Sequence, residues 1–144
     1  MRELRTEIEI DAPPEQVWQV LTDFGPYPEW NPFIRLIEGE PQVGSRLKVR
    51  IEPPGGRAMT FRPTVQAAET ARELRWLGRL FLPGLVDGEH RLALEQLEGG
   101  RSRFIQSERF SGLLVGLLAG TLRATERGFE EMNEALKSRV EAPK

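Results

Sequence analysis

The chain has no cysteine and only one histidine, His90. The first absence excludes disulfides, thiolate nucleophiles and cysteine-based zinc sites. The second argues against a histidine-rich metal centre, and neither a metal nor a cofactor is expected. Long apolar runs are missing as well. The longest, Gly112 to Leu122, falls far short of the ~20 residues needed to span a bilayer, so no stable membrane insertion is expected. Neither sign of charge dominates, with 20 Lys and Arg against 22 Asp and Glu. The two signs are interspersed, which leaves no basic footprint for nucleic acid. The opening Met-Arg-Glu-Leu-Arg-Thr-Glu-Ile is charged from its start and lacks the apolar core of a secretory signal, so a cytoplasmic location is expected. Catalytic vocabulary is equally sparse. A lone histidine among scattered acids makes no Ser-His-Asp triad. The pairs Gly55-Gly56 and Gly99-Gly100 lack the Gly-x-x-x-x-Gly-Lys-Ser/Thr context of a phosphate loop.

What is present is clear patterning over a length of 144 residues, which suits one domain covering residues 1–144. Leu4, Thr6, Ile8 and Ile10 alternate with charged neighbours, the period of a half-buried strand. Asp11 is then in position to cap a helix whose first turn takes Pro13-Pro14 and whose apolar face carries Val17, Trp18 and Leu21. Prolines 26, 28 and 32 restrict the next stretch to a helical turn or two holding Tyr27, Trp30 and Phe33. Six strands come next. They run through Ile34–Glu40, Leu47–Ile51, Met59–Ala67 with an irregularity at Pro63, Leu74–Gly78, His90–Leu94 and Phe104–Phe110. Gly99-Gly100 is a hairpin turn between the last two, and Phe81–Val86 is an apolar loop. From Ser111-Gly112 the period becomes helical. Leu114, Leu118, Leu122, Thr125, Phe129, Met132 and Leu136 form one continuous face of a long helix over about 112–138.

The order β-α-α-β6-α predicts an α+β fold. It implies a curved antiparallel sheet of about seven strands whose apolar face only the C-terminal helix is long enough to cover. Asp11-Ala-Pro-Pro-Glu-Gln-Val-Trp18, Trp30-Asn-Pro-Phe33, Val43-Gly44-Ser-Arg-Leu47, Glu73-Leu-Arg-Trp76 and Phe110-Ser-Gly112 occur in this order along nearly the whole chain. In that arrangement the sequence resembles the START-related (SRPBCC) superfamily, which includes polyketide cyclase/dehydrase-like proteins and the birch-pollen-allergen fold. The resemblance implies a helix-grip fold enclosing a cavity for an apolar ligand. It supplies no catalytic residue that can be carried across position by position.

Strand parity nominates the residues that would face such a cavity. Trp76 shares parity with Leu74, His90 with Leu92 and Leu94, and Gln106 and Glu108 with Phe104 and Phe110. A His90–Glu108 pair on neighbouring strands can orient a carbonyl or move a proton, or it can simply satisfy itself in a packed core. Trp30, Phe33, Phe61 and Phe81, together with Leu114 and Leu118 from the helix, complete the candidate ligand-binding set. Three functions are compatible with these features. The first is binding of a small hydrophobic molecule (a lipid, isoprenoid or polyketide-like compound) as carrier or sensor in a cavity of a few hundred Å³. The second is a cyclase- or dehydratase-like enzyme working through His90 and Glu108. The third is a protein-interaction module of the co-chaperone type using the Phe81–Val86 loop and the proline-rich turn that holds Tyr27, Trp30 and Phe33. A monomer or weak homodimer is expected.

Overall fold

The computed structural model describes residues 2–80, 86–117 and 119–143. Their order is β1 (Arg2–Ile10), α1 (Pro14–Thr22), α2 (Tyr27–Trp30), β2 (Ile34–Glu38), β3 (Lys48–Ile51), β4 (Met59–Phe61), β5 (Thr64–Glu69), β6 (Glu73–Leu80), β7 (Val86–Leu97), β8 (Arg101–Ser111) and α3 (Ala119–Glu141). This is an α+β fold in which the long C-terminal helix lies against a large antiparallel sheet. No helix among the described residues is long and apolar enough to cross a membrane.

The strands form two ladders, β1-β8-β7-β6-β5 and β2-β3-β4. A short antiparallel seam joins them: Gly44 N–H donates to the Val65 carbonyl, Val65 N–H to Ser45 and Leu47 N–H to Pro63. The described residues form eight strands, in keeping with the expected sheet of about seven, the extra one arising from a split. The run Met59–Ala67 is divided at Arg62-Pro63, because proline has no N–H to continue a ladder. Its first part pairs with β3 and its second with β6. Gly99 and Gly100 both adopt positive φ, 73° and 72°, and close the hairpin that pairs β7 with β8 from Leu97↔Arg101 to Asp87↔Ser111.

Two helix starts differ from the pattern-based expectation. Asp11 does not cap α1. The cap position is Pro13, extended at ψ 156°, with no side-chain bond, which leaves Asp11 two residues too early to reach the first free N–H groups. Its own N–H donates instead to Glu141 Oε2 at 2.7 Å, tying the start of α1 to the end of α3. The C-terminal helix begins at Ala119 rather than near residue 112, after a 3-10 turn over Val115–Leu117, and it runs on to Glu141. Its inner face is the one the sequence marks, with Leu122, Thr125, Phe129, Met132 and Leu136 all buried. Gly128 belongs to that face too: a Cβ there would overlap the Phe33 ring. Phe33 and Phe129 then meet edge to face with centroids 5.6 Å apart.

Candidate functional site

Three strands set the chemistry. In the ladder register Trp76 of β6 faces His90 of β7, and His90 faces Glu108 of β8. Alternation turns all three toward α3, beside the buried Leu74, Leu92, Phe104 and Phe110. The imidazole of His90 stacks on the Trp76 indole, with centroids 5.0 Å apart and planes 16° from parallel. Phe129 of α3 meets the imidazole edge-on at 5.0 Å. His90 and Glu108 side chains are only 5% and 15% exposed.

A chain of hydrogen bonds runs from this row through the wall of the protein. Glu108 Oε1 lies 3.1 Å from His90 Nδ1, and His90 Nε2 lies 2.9 Å from Gln106 Oε1. Gln106 Nε2 donates to Asn133 Oδ1 at 2.9 Å and to the Phe129 carbonyl at 3.5 Å. Asn133 Nδ2 donates to Thr6 Oγ1 at 2.9 Å, and Thr6 donates to the Gln106 carbonyl. The amide dipoles all point one way. With Gln106 Nε2 committed to α3, only its oxygen is left for His90, and an amide oxygen accepts. His90 Nε2 therefore donates to Gln106 Oε1, which leaves Nδ1 facing Glu108 Oε1.

The Trp76–His90–Glu108 row forms one wall of a cavity of about 180 Å³. β3 contributes Val49 and Ile51, β4 contributes Met59 and Phe61, and α3 contributes Leu122 and Thr125. Phe33, Ile34, Val86 and Phe110 close it further. Thr125 spends its hydroxyl on the Thr121 carbonyl of its own helix. Among the described residues the wall is thus apolar except for the row itself and Thr121. Gly78 and Gly88 face each other next to that row. A Cβ on Gly88 would overlap Glu108 Oε2, so the missing side chain leaves the carboxylate its place. A larger groove of about 880 Å³ lies outside, between β1 and α3, lined by Arg5, Glu7, Glu126 and Glu130 among others. It is open and charged, and the enclosed apolar space is the better setting for a hydrophobic ligand.

Of the candidate residues, Phe33, Phe61, Trp76, His90 and Glu108 lie on the cavity wall. Gln106 does not: it is fully buried behind His90, between that ring and α3, and holds the ring rather than lining the space. Trp30 is also elsewhere. It packs on Tyr27 at 5.0 Å and borders an outer depression with Val20 and Arg139, because the four-residue α2 turns it away from the sheet. Leu114 is 36% exposed and precedes α3, so it never joins the inner face. Phe81 and Leu118 lie outside the described residues, as does the loop reading except for Val86, which begins β7 and is buried. The sequence reading missed Val49, Ile51, Met59, Leu122 and Thr125 as wall residues, although their strand and helix periods marked them as inward. Gly78 gave no signal beyond ending a strand, where glycine often marks a close approach, and Gly88 fell outside the strand read from His90 to Leu94.

The family model described as polyketide cyclase / dehydrase and lipid transport matches residues 1–141. Among solved structures, a START superfamily protein from Mycobacterium smegmatis is similar at TM-score 0.77 and 19% identity, covering 96% of this chain and 97% of that one. The Zhui aromatase/cyclase from Streptomyces sp. R1128 is similar at TM-score 0.78 and 16% identity, with 97% and 93% covered. Protein MLL2253 from Mesorhizobium loti is similar at TM-score 0.77 and 21% identity, with 99% of each chain covered. At these identities the likeness is one of fold, the START-like helix grip. No curated protein matches the chain significantly.

Proposed function

The chain belongs to the polyketide cyclase/dehydrase and lipid transport family, and on that premise we propose that it binds a small hydrophobic molecule in the cavity between sheet and α3, as a carrier or sensor. The observation that carries this reading is an apolar space of about 180 Å³ kept open beside the largely buried His90–Glu108 pair. The volume is below the 300–1,000 Å³ usual for ligand pockets and close to that of an engineered cavity that takes up benzene, roughly 150 Å³. The size favours a compact ring compound over an acyl chain, narrower than the lipid, isoprenoid or polyketide classes the sequence suggests.

Native mass spectrometry of freshly purified protein, followed by organic extraction, tests the reading. The expected result is a stoichiometric adduct that extraction releases as an apolar compound of one or two rings. A clean apo mass, together with no uptake of benzene-sized probes, sinks it.

A second reading has its own support in the 3.1 Å approach of His90 Nδ1 to Glu108 Oε1 on the cavity wall. A proton shared there is available to a bound carbonyl or enol, as cyclase- or dehydratase-like chemistry requires. On that reading His90→Ala abolishes turnover of the bound compound while the fold survives. Unchanged turnover in the variant excludes it.

A further inference from the structure

His90 is the central polar side chain of the cavity wall, yet no polar atom of it is left to meet a ligand. Its Nδ1 lies 3.1 Å from Glu108 Oε1 and its Nε2 lies 2.9 Å from Gln106 Oε1. An imidazole with both nitrogens engaged has no further donor or acceptor to give. The Trp76 indole covers one face of the ring. The side chain is 5% exposed, against 15% for Glu108. Glu108 lines the same cavity and has a second oxygen. The buried polar atoms that lack a partner include neither of its oxygens, so the one that His90 does not hold keeps accessible surface. Because the bond to the ring is made at Oε1, Oε2 is an acceptor. Gly88 of β7 leaves it room.

Behind the ring the chain of bonds leaves the cavity. Gln106 Nε2 donates to Asn133 Oδ1, and Asn133 Nδ2 donates to Thr6 Oγ1. Thr6 and Asn133 line the outer groove between β1 and α3 rather than the cavity. Thr6 gives its own hydrogen to the Gln106 carbonyl, so its oxygen meets Asn133 as an acceptor. That sets the orientation of the Asn133 amide, which sets that of Gln106 and so the hydrogen on His90 Nε2.

Resting on the reading of this cavity as a ligand site, we propose that Glu108, rather than His90, is the side chain that meets the ligand, accepting from a hydroxyl or N–H of a compact ring compound. His90, Gln106, Asn133 and Thr6 are positioning residues that hold the carboxylate through one line of hydrogen bonds. Thr6 therefore influences binding from the far side of the wall without touching the ligand.

Two probes of nearly equal volume, para-hydroxyacetophenone and para-methylacetophenone, differ only in the donor and test this by calorimetry. Wild type is expected to bind the hydroxy ketone about tenfold tighter. Glu108→Leu abolishes the preference. Thr6→Val, which removes a hydroxyl at nearly constant volume, loses most of it, and Thr6→Ser restores it. The methyl ketone binds wild type and both Thr6 variants alike, a result that general loosening of the fold would not give. The chain's single histidine adds a direct readout, since its nitrogen-15 spectrum contains one imidazole. Nε2 is expected to carry hydrogen with and without ligand, and the hydroxy ketone moves the Nδ1 signal alone. Equal affinity for the two ketones in wild type, a full preference in Glu108→Leu or Thr6→Val, or an Nε2 signal that moves with the hydroxy ketone overturns the proposal while leaving the cavity reading intact. The wild-type and Thr6 measurements decide the matter if Glu108→Leu does not fold. If neither ketone binds, the cavity reading fails and the proposal falls with it.

Discussion

Tyr27 is the chain's single tyrosine, fully buried, with its hydroxyl donating to the Leu21 carbonyl and its ring meeting Phe24 and Trp30 edge-on. Burial, and secondarily the charge of Asp23, push the phenol far above its ordinary range. The folded state thus keeps the proton at pH values where the unfolded chain has lost it. Between the two the native state binds more protons, so stability falls as pH rises. The Tyr27 contribution is intact below about pH 10 and then declines by up to about 1.4 kcal/mol per pH unit. Because no other tyrosine interferes, tyrosinate absorbance in an alkaline titration should appear only together with the loss of tertiary circular dichroism. Tyr27→Phe should cost about 1 kcal/mol at neutral pH and flatten the alkaline limb. A smooth tyrosinate titration near pH 10 in a folded protein would contradict the burial. At this scale the sequence was also informative about the site. Parity alone turned Trp76, His90, Gln106 and Glu108 inward, because a strand leaves each side chain only two directions. It was silent on which of them would meet the cavity. That depends on how Gln106 is drawn onto Asn133 and Phe129, a contact between residues far apart in the chain.

Elements were legible where a period repeats and illegible where a junction decides. The inner face of α3 was readable from Leu122 to Leu136, but the start of the helix was not. The glycine-rich stretch after β8 carries no capping signal, and the first turn there is 3-10. The division of β4 from β5 turned on whether Pro63 bends one strand or ends it, and the answer lies in the partners, β3 on one side and β6 on the other. Gly128 reads as a blemish in a helix, since glycine costs about 1 kcal/mol against alanine there. In the fold it is the notch that admits the Phe33 ring. Gly128→Ala gains helix propensity but pushes a Cβ into an aromatic ring fixed between α3 and β2. Overpacking of this kind typically costs roughly 1–3 kcal/mol, so the steric effect outweighs the propensity gain. The variant should lose roughly 1 kcal/mol or more in urea unfolding, with an unchanged slope. An unchanged or higher midpoint would mean that Phe33 moves aside freely, and Phe33→Leu in the same background should then have no restoring effect.

For the molecule as a whole the cavity is a standing cost. At about 24 cal/mol per Å³ an unfilled space of this size withholds on the order of 4 kcal/mol, a large share of the 5–15 kcal/mol that holds a typical domain together. Extending a wall residue by one methylene would recover part of it, and Val49 is well placed: it is fully buried, on β3, and lines the space. Val49→Leu adds one CH₂ to an existing void, worth about 0.8 kcal/mol, which for a chain of this length raises Tm by about 2–3 °C. The same methylene subtracts from the room available to a ligand. The stabilisation that saturating para-hydroxyacetophenone gives the wild type, which grows as the logarithm of ligand over Kd, should shrink in the variant. Thermal unfolding with and without the probe reads both effects in one experiment. Higher apo stability with a reduced ligand increment means that the cavity is maintained at the expense of stability because something occupies it. A higher apo Tm with an undiminished increment would move probe binding to another surface, the charged groove between β1 and α3 being the next to examine. A lower apo Tm would show that the space beside Val49 is already filled by its neighbours, removing the volume argument on which the choice of a compact ring ligand rests.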